Sequence, residues 1–261
     1  MEKQVKEPST KKILFTSALP GELKVLKEIF GNQPETFRAD FLVLGVGCLE
    51  ATLKLTKKLI ETHYDFVINS GICGYKETRH SVIQIARSIY LPTHKELLVP
   101  QFLKVAPRVS IICSETPIFE STLLGEENYV DMESYAIEKV CEHFKVARLI
   151  LKVPYDKIGE ETKNFDKNLA LKYFKNTLSR LGILSPLNVY LVSHTKTESS
   201  EKYHSHLRLT VSEKIIFEKL FQKYQALSPE SFEVFFNAHK KLDIKIFLQK
   251  LTEACEKLIK L

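Results

Sequence analysis

Between residues 13 and about 184, short apolar runs rich in β-favouring residues alternate with segments whose apolar positions recur every three or four residues. That switching of period predicts strands and helices in turn, as in an α/β domain built on a largely parallel sheet. Strands are expected at 13–18, ended by Pro20-Gly21, and at 41–44, closed by Gly45-Val46-Gly47. A third, at 66–69, leads into the Ser70-Gly71-Ile72-Cys73-Gly74 stretch, and others fit 82–90, 109–113 and 148–153. Helices fit 22–30, with Leu23, Leu26 and Phe30 on one face, and 48–63, whose apolar positions include Leu49, Leu53, Leu59 and Ile60. Two more fit 132–144 and 164–181.

From Ser185 the pattern changes. Residues 193–206 are polar throughout and read as a linker or exposed loop. Ser212 and Glu213 open a helix carrying Ile216, Leu220 and Phe221, and Ser228-Pro229-Glu230 opens another, Ser as N-cap and Pro at the first helical position. Asp243 or Ile244 begins the last, with Phe247, Leu251 and Leu258 inward. The chain thus reads as a polar N-terminal tail (1–12), an α/β domain (13–185) and a helical C-terminal extension (186–261).

Composition narrows the field. In 261 residues, 38 Lys+Arg against 32 Asp+Glu give a net charge of +6, spread without a block of five like charges, so nucleic-acid binding through a basic tract is disfavoured. No apolar run approaches the roughly 18 residues needed to cross a bilayer, and the lysine-rich N-terminus lacks a signal-peptide pattern, so no membrane partner and a cytoplasmic location are expected. The five cysteines are widely and irregularly spaced with no C-x-x-C, which argues for buried thiols rather than a zinc site or disulfide framework. His204 and His206 lack a third ligand nearby and read as part of the solvated loop.

Candidate chemistry collects where strands end, the usual ligand-binding edge of an open α/β sheet. Glu22, the Gly45/Gly47 pair, Gly71 and Gly74, Ser114 and Glu115, Asp131-Met132-Glu133 and Tyr155-Asp156 all fall there. Each also has a purely structural reading. Acids such as Glu22 and Glu133 suit a helix's first turn, Asp131 suits an N-cap, and Asp156 suits a turn. Gly45-Val-Gly47 lacks the third glycine of a dinucleotide fingerprint, and there is no nucleophile elbow or P-loop lysine motif.

Order and spacing add what single positions lack. Leu14-Phe-Thr-Ser-Ala-Leu-Pro-Gly-Glu22, then Leu44-Gly-Val-Gly-Cys-Leu-Glu-Ala51, then Asp65-Phe-Val-Ile-Asn-Ser-Gly-Ile-Cys-Gly74 resembles the N-terminal half of the purine/uridine nucleoside phosphorylase superfamily. The resemblance is nearest to the 5′-methylthioadenosine/S-adenosylhomocysteine nucleosidases and futalosine hydrolases. Val130-Asp-Met-Glu-Ser-Tyr-Ala-Ile137 is similar to that family's V-E-M-E-x-x-A-I segment, and Leu149-Ile-Leu-Lys-Val-Pro-Tyr-Asp156 to its strand ending in S-D. The match spans roughly residues 13–181, and the helical tail has no counterpart in it.

The resemblance implies a three-layer α/β/α nucleoside phosphorylase-like fold, with a mixed, mostly parallel central sheet and a C-terminal helical appendage. It implies hydrolysis of the N-glycosidic bond of a purine nucleoside, a 5′-substituted adenosine, with release of the base and no metal or organic cofactor. Asp156 is implied as the general acid toward the purine, a role that needs a proton on the carboxyl when the bond breaks. Glu22 is implied as the group that activates water and Glu133 as the acceptor for the ribose hydroxyls. Met132 is implied against the sugar, and Ile118 and Phe119 at the base, Phe119 as its stacking partner. Asp131, Gly71, Ser70 and Ser114 complete the implied substrate-binding set. A homo-oligomer, a dimer first, is also implied.

The sequence departs from the family pattern in several places. The segment between Gly74 and Ser114 is short, Asp131 replaces Glu, Lys152 stands where Arg is common, and Tyr155 replaces a small residue. Two alternatives stay open: a phosphorylase, with Arg87 as an anion partner, and a nucleoside binder without turnover.

Overall fold

The structure, a computed structural model, describes residues 11–31, 37–193, 200–228 and 232–260. They fall into two compact units, Met1–Val99 with Val105–Ile183 and Pro100–Lys104 with Leu184–Leu261. The first unit runs β1 (Lys11–Ser17), α1 (Pro20–Phe30), β2 (Phe37–Val43), α2 (Cys48–Glu61), β3 (Phe66–Tyr75), β4 (Ile83–Tyr90), β5 (Lys95–Leu98) and β6 (Arg108–Cys113). After a 3₁₀ turn at Ser121–Leu124 come β7 (Tyr129–Asp131), α3 (Ser134–Phe144), β8 (Ala147–Lys157), α4 (Glu160–Lys163) and α5 (Lys167–Ser179).

Strand alternation on β1 sorts the layers. Phe15 stacks on Phe30 of α1 with ring centroids 4.7 Å apart, and α1 packs in turn on α5, whose Ala170, Phe174 and Leu178 are buried. Leu14 points the other way, into a core shared with Ala51 and Leu55 of α2 and Ile137 of α3. Helices therefore cover both faces. β1 pairs in parallel with β2 and β3, β3 with β8, β4 with β6, and β6 with β7, whereas β3–β7, β4–β5 and β4–β8 are antiparallel. The pairings β3–β8–β4–β6–β7–β3 close on themselves, so the centre of the mixed sheet is a ring that gathers several strand ends.

Residues 70–74, expected to leave the third strand, continue it: Ser70 to Gly74 pair with Leu151 to Asp156 of β8, which satisfies the backbone that Gly and Ser would otherwise free for a turn. β8 likewise runs on from 153 to Lys157, and its Pro154 is accommodated where the register shifts at Cys73/Gly74. α3 begins at Ser134 rather than Met132 because Asp131 ends β7 and Glu133 takes the N-cap position. β5, β7 and α4 were not marked by periodicity, being three or four residues long. Of the polar N-terminal tail, residues 1–10 lie outside the described residues, while Lys11 and Lys12 belong to β1.

The second unit contains α6 (Leu184–Ser193), α7 (Glu201–Leu207), α8 (Val211–Leu227), α9 (Phe232–His239) and α10 (Ile244–Lys260). Its core is aromatic, with Tyr203, Phe217, Phe221, Phe232, Phe236 and Phe247 all buried. Residues 200–206 of the expected polar loop are instead largely helical, because Tyr203 and, just beyond the loop, Leu207 supply an inward face; 194–199 lie outside the described residues. His204 and His206 therefore sit on a helix. α8 opens one residue earlier than expected, at Val211, and is capped by Thr210: its hydroxyl accepts from the Glu213 N–H while the Glu213 carboxylate accepts from the Thr210 N–H. Pro229 and Glu230 of the expected helix start, and the side chain of Leu258, lie outside the described residues. No helix among the described residues is long and apolar enough to cross a membrane.

Candidate active site

Glu22 stands at the third position of α1, where an acid ordinarily takes the N-cap amide. One of its oxygens does that, accepting from the Leu19 N–H at 3.1 Å. The other leaves the helix and accepts from the Ile72 N–H of β3 at 2.8 Å. Gly71 permits the approach, since a Cβ there would lie 3.2 Å from the carboxylate. The side chain is only 3% exposed. Burial raises its pKa above the usual carboxylate range, the Ile72 and Leu19 amides and the Lys152 charge offsetting only part of that.

Asp131 and Glu133 bracket the turn from β7 into α3. Asp131 accepts from the Ser134 N–H at 3.0 Å and the Ser134 hydroxyl at 2.7 Å, so it satisfies the first amide of α3 from two residues before the N-cap position, which Glu133 holds. Glu133 does not cap its own helix. Its Oε1 accepts from the Gly47 N–H at 3.0 Å, an amide turned inward by a backbone at φ +93°, a conformation that favours glycine.

Both acids meet Lys152 of β8, whose Nζ lies 2.8 Å from Asp131 Oδ2 and 3.6 Å from Glu133 Oε2. Lys152 is 1% exposed; burial alone would lower its pKa, but Asp131 and Glu133, with Glu22 adding, hold it above the usual lysine range. Burial likewise raises the Glu133 carboxyl, Lys152 opposing and Asp131 adding, to about 7. Lys152 stands outside the residue set implied by the resemblance. A lysine inside the apolar run Leu149-Ile-Leu-Lys-Val153 is nevertheless a signal, because a buried ammonium requires carboxylate partners.

Asp156 lies four residues further along β8 and is 9% exposed. Its Oδ2 accepts the Thr162 hydroxyl at 2.8 Å, so the short helix α4 holds the carboxylate in place. Cys73 links it electrostatically to the rest. Burial dominates in raising that thiol's pKa, and the charges of Lys152, Asp131 and Asp156 all act on it. Glu22, Asp131, Glu133 and Lys152 thus form one cluster, with Asp156 adjoining it through β8.

Asp156 also lines a cavity of about 410 Å³ with Arg79, Tyr155, Glu161, Asn164, Phe165, Asp166 and Leu169. Neither Glu22 nor Glu133 lines that cavity. The Arg79 guanidinium lies 4.3 Å from the Tyr173 ring centroid and 5.6 Å from that of Tyr155.

The remaining candidates have varied surroundings. Ser70 is buried, and its hydroxyl makes no hydrogen bond among the described residues. The Ser114 hydroxyl closes a local turn with Thr116. Met132 is half-buried, and its carbonyl accepts from the Cys48 thiol at 3.5 Å. Ile118 packs in a small apolar cluster with Ile89, Ile112, Leu124 and Val130, while Phe119 is 47% exposed. Arg87 is engaged: it donates to Ser110 at 3.0 Å and pairs with Glu127 at 2.6 Å and Glu96 at 3.3 Å.

No model of a known protein family matches the sequence, and no curated protein matches it significantly. Solved structures do match. A 5′-methylthioadenosine/S-adenosylhomocysteine nucleosidase from Helicobacter pylori, crystallised with butyl-thio-DADMe-Immucillin-A, superposes with a TM-score of 0.60 at 13% identity, over 69% of this chain and 99% of that one. An MTAN from Chlamydia trachomatis gives 0.57 at 21% identity, over 69% and 98%. A futalosine hydrolase from Helicobacter pylori gives 0.59 at 14%, over 70% and 99%. The chain has the mixed α/β nucleoside phosphorylase-like fold, with a helical C-terminal region in addition.

Proposed function

We propose that the protein is a nucleosidase that hydrolyses the N-glycosidic bond of a purine nucleoside, a 5′-substituted adenosine, and releases the base. The observation that carries this reading is the clustering of Glu22, Asp131 and Glu133 around the buried Lys152, with Asp156 further along the same strand. Cleavage builds positive charge on the ribose and negative charge on the departing purine. Carboxylates beside the sugar stabilise the first, and a proton delivered by Asp156 neutralises the second. Glu22, made more basic by burial, suits proton abstraction from water. Glu133, anchored by the Gly47 amide and by Lys152, suits acceptance of hydrogen bonds from the ribose hydroxyls.

The structural neighbours support this reading by their printed names and ligands, two being nucleosidases and one a hydrolase. Hydrolysis is favoured over phosphorolysis because the Arg87 guanidinium, the expected anion partner, is already paired with Glu96 and Glu127. Self-association is part of the proposal: α2 presents Leu49, Leu53 and Ile60 at 68%, 58% and 70% exposure, an apolar face suited to burial against a second copy.

The test is incubation with a panel of 5′-substituted adenosines, with and without phosphate, monitoring free adenine. Adenine release at a rate independent of phosphate, reduced about 10²–10⁴-fold in a folded Asp156→Asn variant, is the expected result. Release only in the presence of phosphate would overturn hydrolysis. Turnover unchanged in Asp156→Asn would remove that residue from the mechanism.

A further inference from the structure

The five cysteines are all free and buried, yet two of them are in contact. Cys48 opens α2 and Cys113 closes β6, and their sulfurs lie 3.4 Å apart although they are 65 residues apart in sequence. The contact adjoins the acid cluster. The Cys48 thiol donates to the Met132 carbonyl, and the preceding residue, Gly47, donates its amide to Glu133. Cys113 is in register with Asp131 on β7. Both cysteines thus flank the 131–133 turn.

We propose that Cys48 and Cys113 are a site of reversible oxidation, forming a disulfide under peroxide that loosens the hold on Glu133. Only one thiol has to meet the oxidant, and Cys48 is 9% exposed where Cys113 is 0% exposed. In the first step the Cys48 sulfur attacks hydrogen peroxide. The O–O bond breaks, an S–O bond forms, and water leaves, giving the sulfenic acid. In the second step the Cys113 sulfur attacks that sulfur, displacing hydroxide, which takes the Cys113 thiol proton and leaves as water. Each sulfur is oxidised by one electron and the two peroxide oxygens are reduced, so one peroxide consumes two thiols and yields two waters. Burial, chiefly, raises the Cys113 thiol well above the usual range, so this sulfur gives up its proton to the departing hydroxide only as it attacks.

Bond formation draws the sulfurs from 3.4 Å to about 2.05 Å and removes the proton that Cys48 donates to Met132. The first turn of α2 is pulled toward β6, and the Gly47 amide, one residue before Cys48, shifts with it and strains its hydrogen bond to Glu133. The consequence for nucleoside affinity rests on the function proposed above; the disulfide itself does not.

Full-length protein treated with hydrogen peroxide, alkylated and mapped by mass spectrometry without reduction should yield a Cys48–Cys113 linked peptide. Free thiols should fall from five to three and be restored by dithiothreitol. In Cys113→Ser, Cys48 should stop at a sulfenic acid trapped by dimedone. Five thiols persisting, or a link through other cysteines, would overturn the site whatever the protein's activity. In the oxidised wild type, nucleoside affinity should fall about tenfold, the scale of one hydrogen bond to a charged group, with Cys113→Ser unaffected. A linked protein with unaltered affinity would overturn the coupling to Glu133.

Discussion

At Glu133 two roles that share one carboxylate pull in opposite directions with pH. Burial keeps the proton on this carboxyl up to about 7 in the folded chain, against an ordinary value of 4.5. Its raised pKa therefore contributes stability that is full below about 4.5 and is lost as pH rises through 7. Acceptance of ribose hydroxyls needs the ionised form, so nucleoside affinity should instead rise, about tenfold per unit, toward pH 7 and level off above it. Paired unfolding and binding titrations should show the opposite slopes, and Glu133→Gln should flatten both. Parallel slopes would show that Glu133 does not titrate in this window. Glu22, Asp131, Glu133 and Asp156 fall at strand ends in the sequence, but each also suits a cap or turn there, and only the resemblance singled them out. Lys152 could not be assigned its partners, because a strand residue's contacts depend on which strands flank it. The opposite bias appears at Ile118, where the sequence offers an apolar residue for a base and the fold packs it among other apolar side chains.

Among the elements, the buried pair Glu138–Arg148 ties α3 to β8, the strand that carries Lys152 and Asp156. Arg148 Nε donates to Glu138 Oε2 at 2.9 Å, a second guanidinium nitrogen reaches Oε1, and the two side chains are 2% and 7% exposed. Arg148→Met should cost about 3–5 kcal/mol in denaturant unfolding by leaving an unpaired buried carboxylate, while replacing both residues with apolar ones should cost much less. A loss below about 1 kcal/mol for the single variant would contradict burial of the pair. Long periodic elements such as α1, α2 and β1 were legible within a few residues, because their apolar faces are longer than their caps. β7 and α4, which hold Asp131 and position Asp156, were illegible. They are too short for a period and exist because neighbouring strands and helices supply their partners.

For the whole molecule, helical periodicity located the apolar positions of α2 but not the side that faces the core. Leu59 packs inward, whereas Leu49, Leu53 and Ile60 face out, a distinction that periodicity alone does not make. If a second copy covers that face, Leu53→Lys combined with Ile60→Lys should halve the mass measured by light scattering without unfolding the chain. A wild-type protein that is monomeric at tens of micromolar would refute self-association. The helical unit has an aromatic core of its own, of which the sequence marked Phe221 and Phe247 but not Phe217 or Phe232; Ile216, read alongside Phe221, is 48% exposed, and α7 was hidden by a polar composition.

In the proposed function the acids of α1, the β7–α3 turn and β8 act on one bound nucleoside. The most direct measurement is a crystal structure of Asp156→Asn soaked with 5′-methylthioadenosine. The account predicts ribose hydroxyls on the Glu133 carboxylate, Glu22 beneath the anomeric carbon and residue 156 beside the purine. A nucleoside seated wholly in the Arg79–Tyr155–Phe165 cavity, out of reach of Glu22 and Glu133, would contradict it.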